Sequence, residues 1–354
     1  MSENLGLRVP ALILALAWGC WPSAVPAGPE ESSQLESLSL EELLQVQFIP
    51  VDVHGSHIHP RDEWMVGYKF DFLQMSGNRD GERRLTLTEV LAAFPVTPTR
   101  MAVKTSVLEV MYGLTDRVTL EVMIPYHRKT MEHVTRGDVR FTTLSEGVGD
   151  IMLGSHLLVK RRGSHWWIVS PGLSLPTGSI DERGATPAGA NQKLPYPMQL
   201  GSGSVDFIPE VNYLWQTKES LLGAHAMVRL SLDENDNGYR VGDRYHLGLF
   251  FSRKLSRRWA ASARLDGKWW ANYSGADPDL DPAGVHTADP RRRGGRRIET
   301  LLGVNLFNPS KHANLTATKG HRFTFELGIP VHQSLDGPQL ETDWTGHFVW
   351  QWTF

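Results

Sequence analysis

At 354 residues, with 36 basic and 39 acidic side chains and a net charge of -3, the chain carries no bulk electrostatic signal for nucleic acid. Hydrophobic residues make up 41% of it, and no apolar run of eighteen or more follows the N-terminal region, which excludes helical membrane spans. A transmembrane β-barrel escapes that test, because only every second residue of its strands needs to be apolar.

Residues 1–27 read as a secretory signal, with Arg8 for charge, Val9 to Trp18 as the apolar stretch and Val25-Pro26-Ala27 as the cleavage region. Cys20, the only cysteine, lies inside it. A lipoprotein cleavage before Cys20 would place Trp18 where a small residue is wanted, and fits poorly. The mature chain would then have no thiol for a disulfide or a thiolate metal site.

Residues 28–62 form a predicted periplasmic segment. Ser39 and Glu42 make a capping box, and Leu40, Leu43 and Leu44 give one apolar stripe of a short helix. His54, His57 and His59 follow at ligand-like spacing. Imidazole suits copper, nickel and zinc, and thioether suits Cu(I), so these histidines, with Met65, Met123, Met152, Met227, His156, His225 and His347 expected to face the lumen, predict a soft-metal alternative.

From Trp64 onward the pattern alternates. Trp64, Val66, Tyr68, Phe70 and Phe72 oppose Met65, Gly67, Lys69 and Asp71. Equivalent runs begin near residues 118, 151, 167, 205, 222, 245, 259, 299, 323 and 344, each near the length of a tilted bilayer-spanning strand. Met101 to Tyr112 is strand-like, but its two faces are not separable. The total is about twelve strands. The connections alternate long and short, with residues 74–100, 127–147, 177–204, 233–244, 270–297 and 331–343 on the long side. Tight turns fall at 113–117, 161–165, 216–220 and 255–258, and residues 308–321 make an oversized one. That sorting is how outer-membrane barrels are built.

Charge placement agrees. The aromatic faces carry almost no ionisable groups, whereas Lys69, Asp71, Glu121, Asp150, Glu210, Arg229, Arg264, Asp266, Lys268 and Glu326 lie on the opposite faces and are predicted to face the lumen. Their mixed signs argue against strong ion selectivity. The last stretch places Phe348, Trp350, Trp352 and Phe354 on one face. It resembles the closing strand of bacterial outer-membrane barrels and the signal read by the barrel-assembly machinery.

Tyr112-Gly113-Leu114-Thr115-Asp116-Arg117-Val118, Gly147-Val148-Gly149-Asp150-Ile151, Leu173-Ser174-Leu175-Pro176-Thr177-Gly178 and Leu200-Gly201-Ser202-Gly203-Ser204-Val205-Asp206 occur in that order. Together they resemble the outer-membrane proteins named after the meta-pathway of phenol degradation, usually classed as transporters. The resemblance spans residues 64–354 and implies a channel for small solutes, aromatic ones included. It carries over no catalytic residues.

Other chemistry is thin. The acidic runs Asp233 to Gly238 and Asp277 to Asp281 could offer oxygens to Ca²⁺, but the first lacks a distal Glu. Ser56-His57 and Ser164-His165 are adjacent pairs, not a nucleophile in an elbow. Arg291 to Arg297 is a basic run suited to lipopolysaccharide phosphates.

The sequence therefore predicts an all-β, antiparallel transmembrane barrel over residues 63–354, in the bacterial outer membrane. The expected function is a channel or facilitator for small solutes, without catalysis or a required cofactor. The alternatives are a copper-type metal-binding protein using His54, His57 and His59, and a structural or adhesive barrel. The expected partners are lipid, lipopolysaccharide, the assembly machinery and the solute.

Overall fold

The computed structural model describes residues 57–309 and 319–354, all within the unit Gln47–Phe354. The expected signal segment, the helix near Leu40 and His54 lie outside the described residues.

The chain begins its first strand at Trp64 and returns to it at the other end of the sequence. The walls are β1 (Trp64–Gly81), β3 (Val96–Thr115), β4 (Val118–Thr135), β6 (Met152–Arg162), β7 (His165–Ser174), β10 (Asp206–Gln216), β11 (Ser220–Ser231), β13 (Arg244–Lys254), β14 (Trp259–Trp270), β16 (Gly295–Pro309) and β17 (Gly320–Thr353). They pair in that order, and β17 pairs with β1 to close the ring. The seam runs Tyr68 to Trp350 and Phe70 to Phe348, and Trp64 and Phe354 exchange backbone hydrogen bonds of 3.1 and 3.0 Å. The aromatic closing strand expected from the sequence is the one that completes the barrel.

Eleven strands cannot all be antiparallel around a closed ring if each runs one way, yet every wall pairing here is antiparallel. The resolution lies in β17. Its 34 residues would reach about 110 Å fully extended. Gly320 to Leu335 pairs with β16, and Leu335 to Thr353 pairs with β1. The element therefore runs out and back, and the wall is crossed twelve times, an even number as expected. Two strands extend this wall: β2 (Arg83–Leu85) pairs with β1, and β5 (Arg140–Val148) pairs with the far half of β4.

The faces follow alternation. Leu247, Leu249 and Phe251 are exposed on the outside, where lipid would cover them, while Gly248, Phe250 and Ser252 between them are buried. The strand whose faces were not separable resolves as Met101, Val103, Thr105, Val107, Glu109 and Met111 inward. Apolar residues occupy its inner face, and Lys104 and Ser106 its outer face, so hydropathy alone could not orient it.

Several expected loops are strand. At the usual tilt the 20 residues of β3 rise about 50 Å against a hydrocarbon core of about 30 Å. The walls on the β1 to β5 side and at β17 thus project well past the membrane. There the outer face meets water instead of lipid, and the alternation that marks a strand in the sequence fades. Within the first loop, Leu87–Ala93 forms a helix, α1, capped by Thr86 and Glu89 as a complete capping box. Thr-x-x-Glu is the sequence signature of such a box.

A candidate conduit through the barrel

The bore has three tiers. At the turn end it is filled by the chain that enters β1. Ile58 packs against Ile168, Leu214, Leu221 and Phe250, all buried inward residues of four strands. The His59 amide donates to Thr119 Oγ1 at 2.8 Å, and its Nδ1 lies 2.7 Å from Glu63 Oε1. Any Cβ at Gly113 would lie 1.9 Å from the Pro60 carbonyl oxygen. Only glycine lets this segment cross β3, a role for the first family-like motif that sequence reading did not find.

The middle tier is ion-paired. Lys69 meets Glu109 at 2.5 Å, and Glu121 lies 3.3 Å from His156. Arg264 holds Glu326 at 2.6 Å and Asp266 at 3.4 Å. Lys268 holds Glu299 at 3.0 Å, and His347 lies 2.6 Å from Asp71. Glu210 sits beside Asn212 on its own strand. Arg264, Asp266, Glu299 and Glu326 are each 2% exposed or less. At this level side chains, not a wide column of water, fill the bore. Glu109 and Glu299 were not among the expected lumenal charges, the first because its strand could not be oriented.

The tier at the loop end is apolar. Met75, Met101 and Met131 face one another in register across β1, β3 and β4. Leu194 and Met198 from the loop 175–205 complete a buried cluster with Met101 and Met131, against which Met75, Val103 and Leu340 pack. That loop carries the small hairpin β8 (Arg183–Thr186) and β9 (Gly189–Lys193), and it folds inward. Ser145 Oγ donates to the Met198 carbonyl at 2.6 Å, and Lys129 donates to that of Gln199.

Both ends of the inserted loop are tied to one node. Asp150 accepts hydrogen bonds from the Gly178 amide at 3.1 Å, and from the Ser202 amide and hydroxyl at 2.8 and 2.9 Å. Arg229 binds Asp206 at 2.5 Å and Asp150 at 3.5 Å. Three of the four family-like motifs converge here. Read in one dimension they are turns and strand ends; in three they hold the loop that narrows the bore.

The remaining loops pack over this one. Asp277 and Asp279, considered for Ca²⁺, take Lys193 at 3.1 Å and Arg183 at 2.7 Å instead. Asn235 of the other acidic run donates to the Ser202 carbonyl at 2.9 Å. The basic run is divided. Arg297 reaches Glu299 inside, Arg293 is buried, and Arg292 lies over the Phe94 ring, leaving Arg291 and Arg296 exposed. His286 is fully buried, edge-on to Phe94 and 3.2 Å from Thr97 Oγ1. Burial, with Arg293 and Arg292 nearby, lowers its pKa from 6.5 to about 3.

A histidine held neutral in this way loses its stabilising contribution as pH falls through the interval from 6.5 to about 3, where only the opened loop binds the proton. Protection factors of amides 285–289, corrected for intrinsic exchange, should fall between pH 7 and pH 4. Protection independent of pH over that range would show that His286 does not hold the loop closed.

A closed, twelve-pass antiparallel wall with a lipid-facing apolar exterior defines an outer-membrane β-barrel. A family model described as "Putative MetA-pathway of phenol degradation" matches residues 103–290, more than half of the chain, and the protein belongs to that family. Among solved structures, an outer membrane channel from Pseudomonas putida F1 is similar with a TM-score of 0.61 at 14% identity, over 86% of this chain and 100% of that one. The translocator domain of the autotransporter NalP from Neisseria meningitidis gives 0.42 at 10% identity, over 92% and 95%. A FadL homologue from Pseudomonas aeruginosa gives 0.35 at 11%, over 82% and 89%. No curated protein matches the sequence.

Proposed function

We propose that this barrel is a facilitator for small, weakly polar solutes, aromatic compounds among them, across the outer membrane. The observation that carries this reading is the apolar throat of Met75, Met101, Met131, Leu194 and Met198 at the loop end, above the ion-paired middle of the bore. Thioethers are polarizable and flexible, and sulfur–aromatic contacts contribute roughly 0.3–1.5 kcal/mol each. Such a ring can yield to an apolar solute and close behind it. The family's description, which refers to phenol degradation, supports the same solute class, and the likeness to an outer membrane channel supports passage through the bore. Passage needs the loop 175–205 to shift about its node at Asp150. The reading is non-enzymatic.

In this proposal residues 1–27 direct export, the turn end is periplasmic and the loops face outward. Phe348, Trp350, Trp352 and Phe354 form the strand recognised by the assembly machinery. Contact with lipopolysaccharide falls to Arg291 and Arg296, because Arg297 points inward, Arg293 is buried and Arg292 packs over Phe94.

Liposomes containing the barrel should admit a neutral aromatic tracer faster than a sugar of similar size. Met131→Glu places a carboxylate in the throat, where desolvation costs several kcal/mol. Aromatic entry should fall at least about tenfold, since each 1.4 kcal/mol on the barrier is tenfold in rate. Aromatic entry no faster than into empty vesicles would refute the proposal.

A further inference from the structure

The His57 and His59 pair does not exhaust the imidazole in the bore. His225 on β11, His246 on β13 and Asp266 on β14 bring one ligand-type atom each within 4.8 Å of the others. The register explains how. His225 pairs with Gly248, and Gly248 with Asp266, so both side chains lean across a bare glycine. A Cβ there would lie 2.3 Å from His225 Cε1 and 2.9 Å from Asp266 Oδ1. His246, two residues along β13, turns its ring edge-on to His225, with centroids 4.5 Å apart.

Three ligand-type atoms are thereby gathered in one place. His225 Nε2 and His246 Nε2 are 3.4 Å apart, and His246 Nε2 is 3.3 Å from Asp266 Oδ2. Tetrahedral sites with bonds of about 2.0–2.1 Å place neighbouring ligand atoms roughly 3.3–3.4 Å apart. With a hydrogen on His246 Nε2 directed at Asp266, that nitrogen has no lone pair left to accept a hydrogen bond from His225 Nε2. A cation at the centre would engage all three lone pairs. Arg264 and Lys268 lie 3.4 and 3.8 Å from Asp266 Oδ2, but hold Glu326 and Glu299 more closely, at 2.6 and 3.0 Å.

We propose that His225, His246 and Asp266 form a site for one divalent transition-metal ion of the zinc, nickel or copper(II) class. Two imidazoles and one carboxylate suit that class and not Ca²⁺ or Mg²⁺. Three protein ligands leave a position for water or a passing ligand. This site is independent of the solute reading and uses none of the N-terminal histidines.

The test is cobalt(II) titration of the purified full-length barrel in detergent. One equivalent should give the intense visible absorption of a tetrahedral ion, and zinc should abolish it. His225→Gln and His246→Gln should each weaken binding at least tenfold, whereas His57→Gln with His59→Gln should leave it unchanged. The inference fails if the wild-type spectrum stays that of hydrated cobalt, a result that needs no variant to fold. It fails equally if binding survives both the His225 and His246 substitutions, or is lost with His57 and His59.

Discussion

Arg264→Ala should destabilise the barrel by about 3–5 kcal/mol, the usual cost of removing one partner from a buried ion pair. Arg264 holds Glu326 at 2.6 Å and also touches Asp266 at 3.4 Å. Both carboxylates are at most 1% exposed. Without the guanidinium, Glu326 keeps its desolvation cost and loses that contact, and Asp266 retains Lys268 at 3.8 Å. Urea unfolding of the refolded barrel in detergent would read the loss. Adding Glu326→Gln to Arg264→Met should recover most of it, because then neither charge is stranded. A single variant as stable as the parent would mean that water reaches this tier and solvates the carboxylates.

Ile58→Asp should open the turn end of the bore. Ile58 is partly buried against Ile168, Leu214, Leu221 and Phe250, and the roughly 1.5–3 kcal/mol for full burial of an isoleucine is the upper bound of its contribution. Replacing it by a carboxylate loses that term and adds the cost of desolvating a charge. The balance between seated and released segment should therefore move by at least about a hundredfold. In planar bilayers the parent should conduct weakly, and the variant should show larger or more frequent steps. Equal conductance would place the limiting constriction elsewhere, with the methionine tier the first candidate. Comparing Ile58→Asp with Met131→Glu separates the two constrictions, since the first acts on all ions and the second on apolar solutes.

The wall was legible in the sequence because lipid demands apolar residues on every second position. Leu247, Leu249 and Phe251, or Phe323, Phe325 and Leu327, could be assigned outward on that ground alone. The demand ends where the membrane ends. The far halves of β1, β3, β4 and β17 therefore looked like loops, although they continue as paired strands. It also ends where the interior is itself apolar, as at Met101, Val103 and Val107, and there the faces could not be told apart. The helix α1 was a different omission, since its capping box was readable without any tertiary information.

The contents of the bore followed another logic. Alternation says that Lys69, Asp266 and Arg264 point inward, but not which residue each will meet. Partners are chosen by register and tilt, which bring residues far apart in the chain to one height. Glu109, on the strand that could not be oriented, was out of reach for that reason. The entering segment at Ile58 and the loop bearing Met198 carry no periodic signal, because they fill space instead of forming wall. Asp150 likewise looked like one more lumenal charge until Gly178, Ser202 and Arg229 surrounded it.

By itself, then, the sequence determined the membrane barrel, its even number of crossings and the direction of most side chains. Each of these depends on local periodicity and on the uniform chemistry of lipid. Only the tertiary structure decided what occupies the bore, which motifs converge at Asp150, and that His225, His246 and Asp266 share one point across Gly248. Those outcomes depend on the stagger between neighbouring strands, and no pattern confined to one strand encodes it.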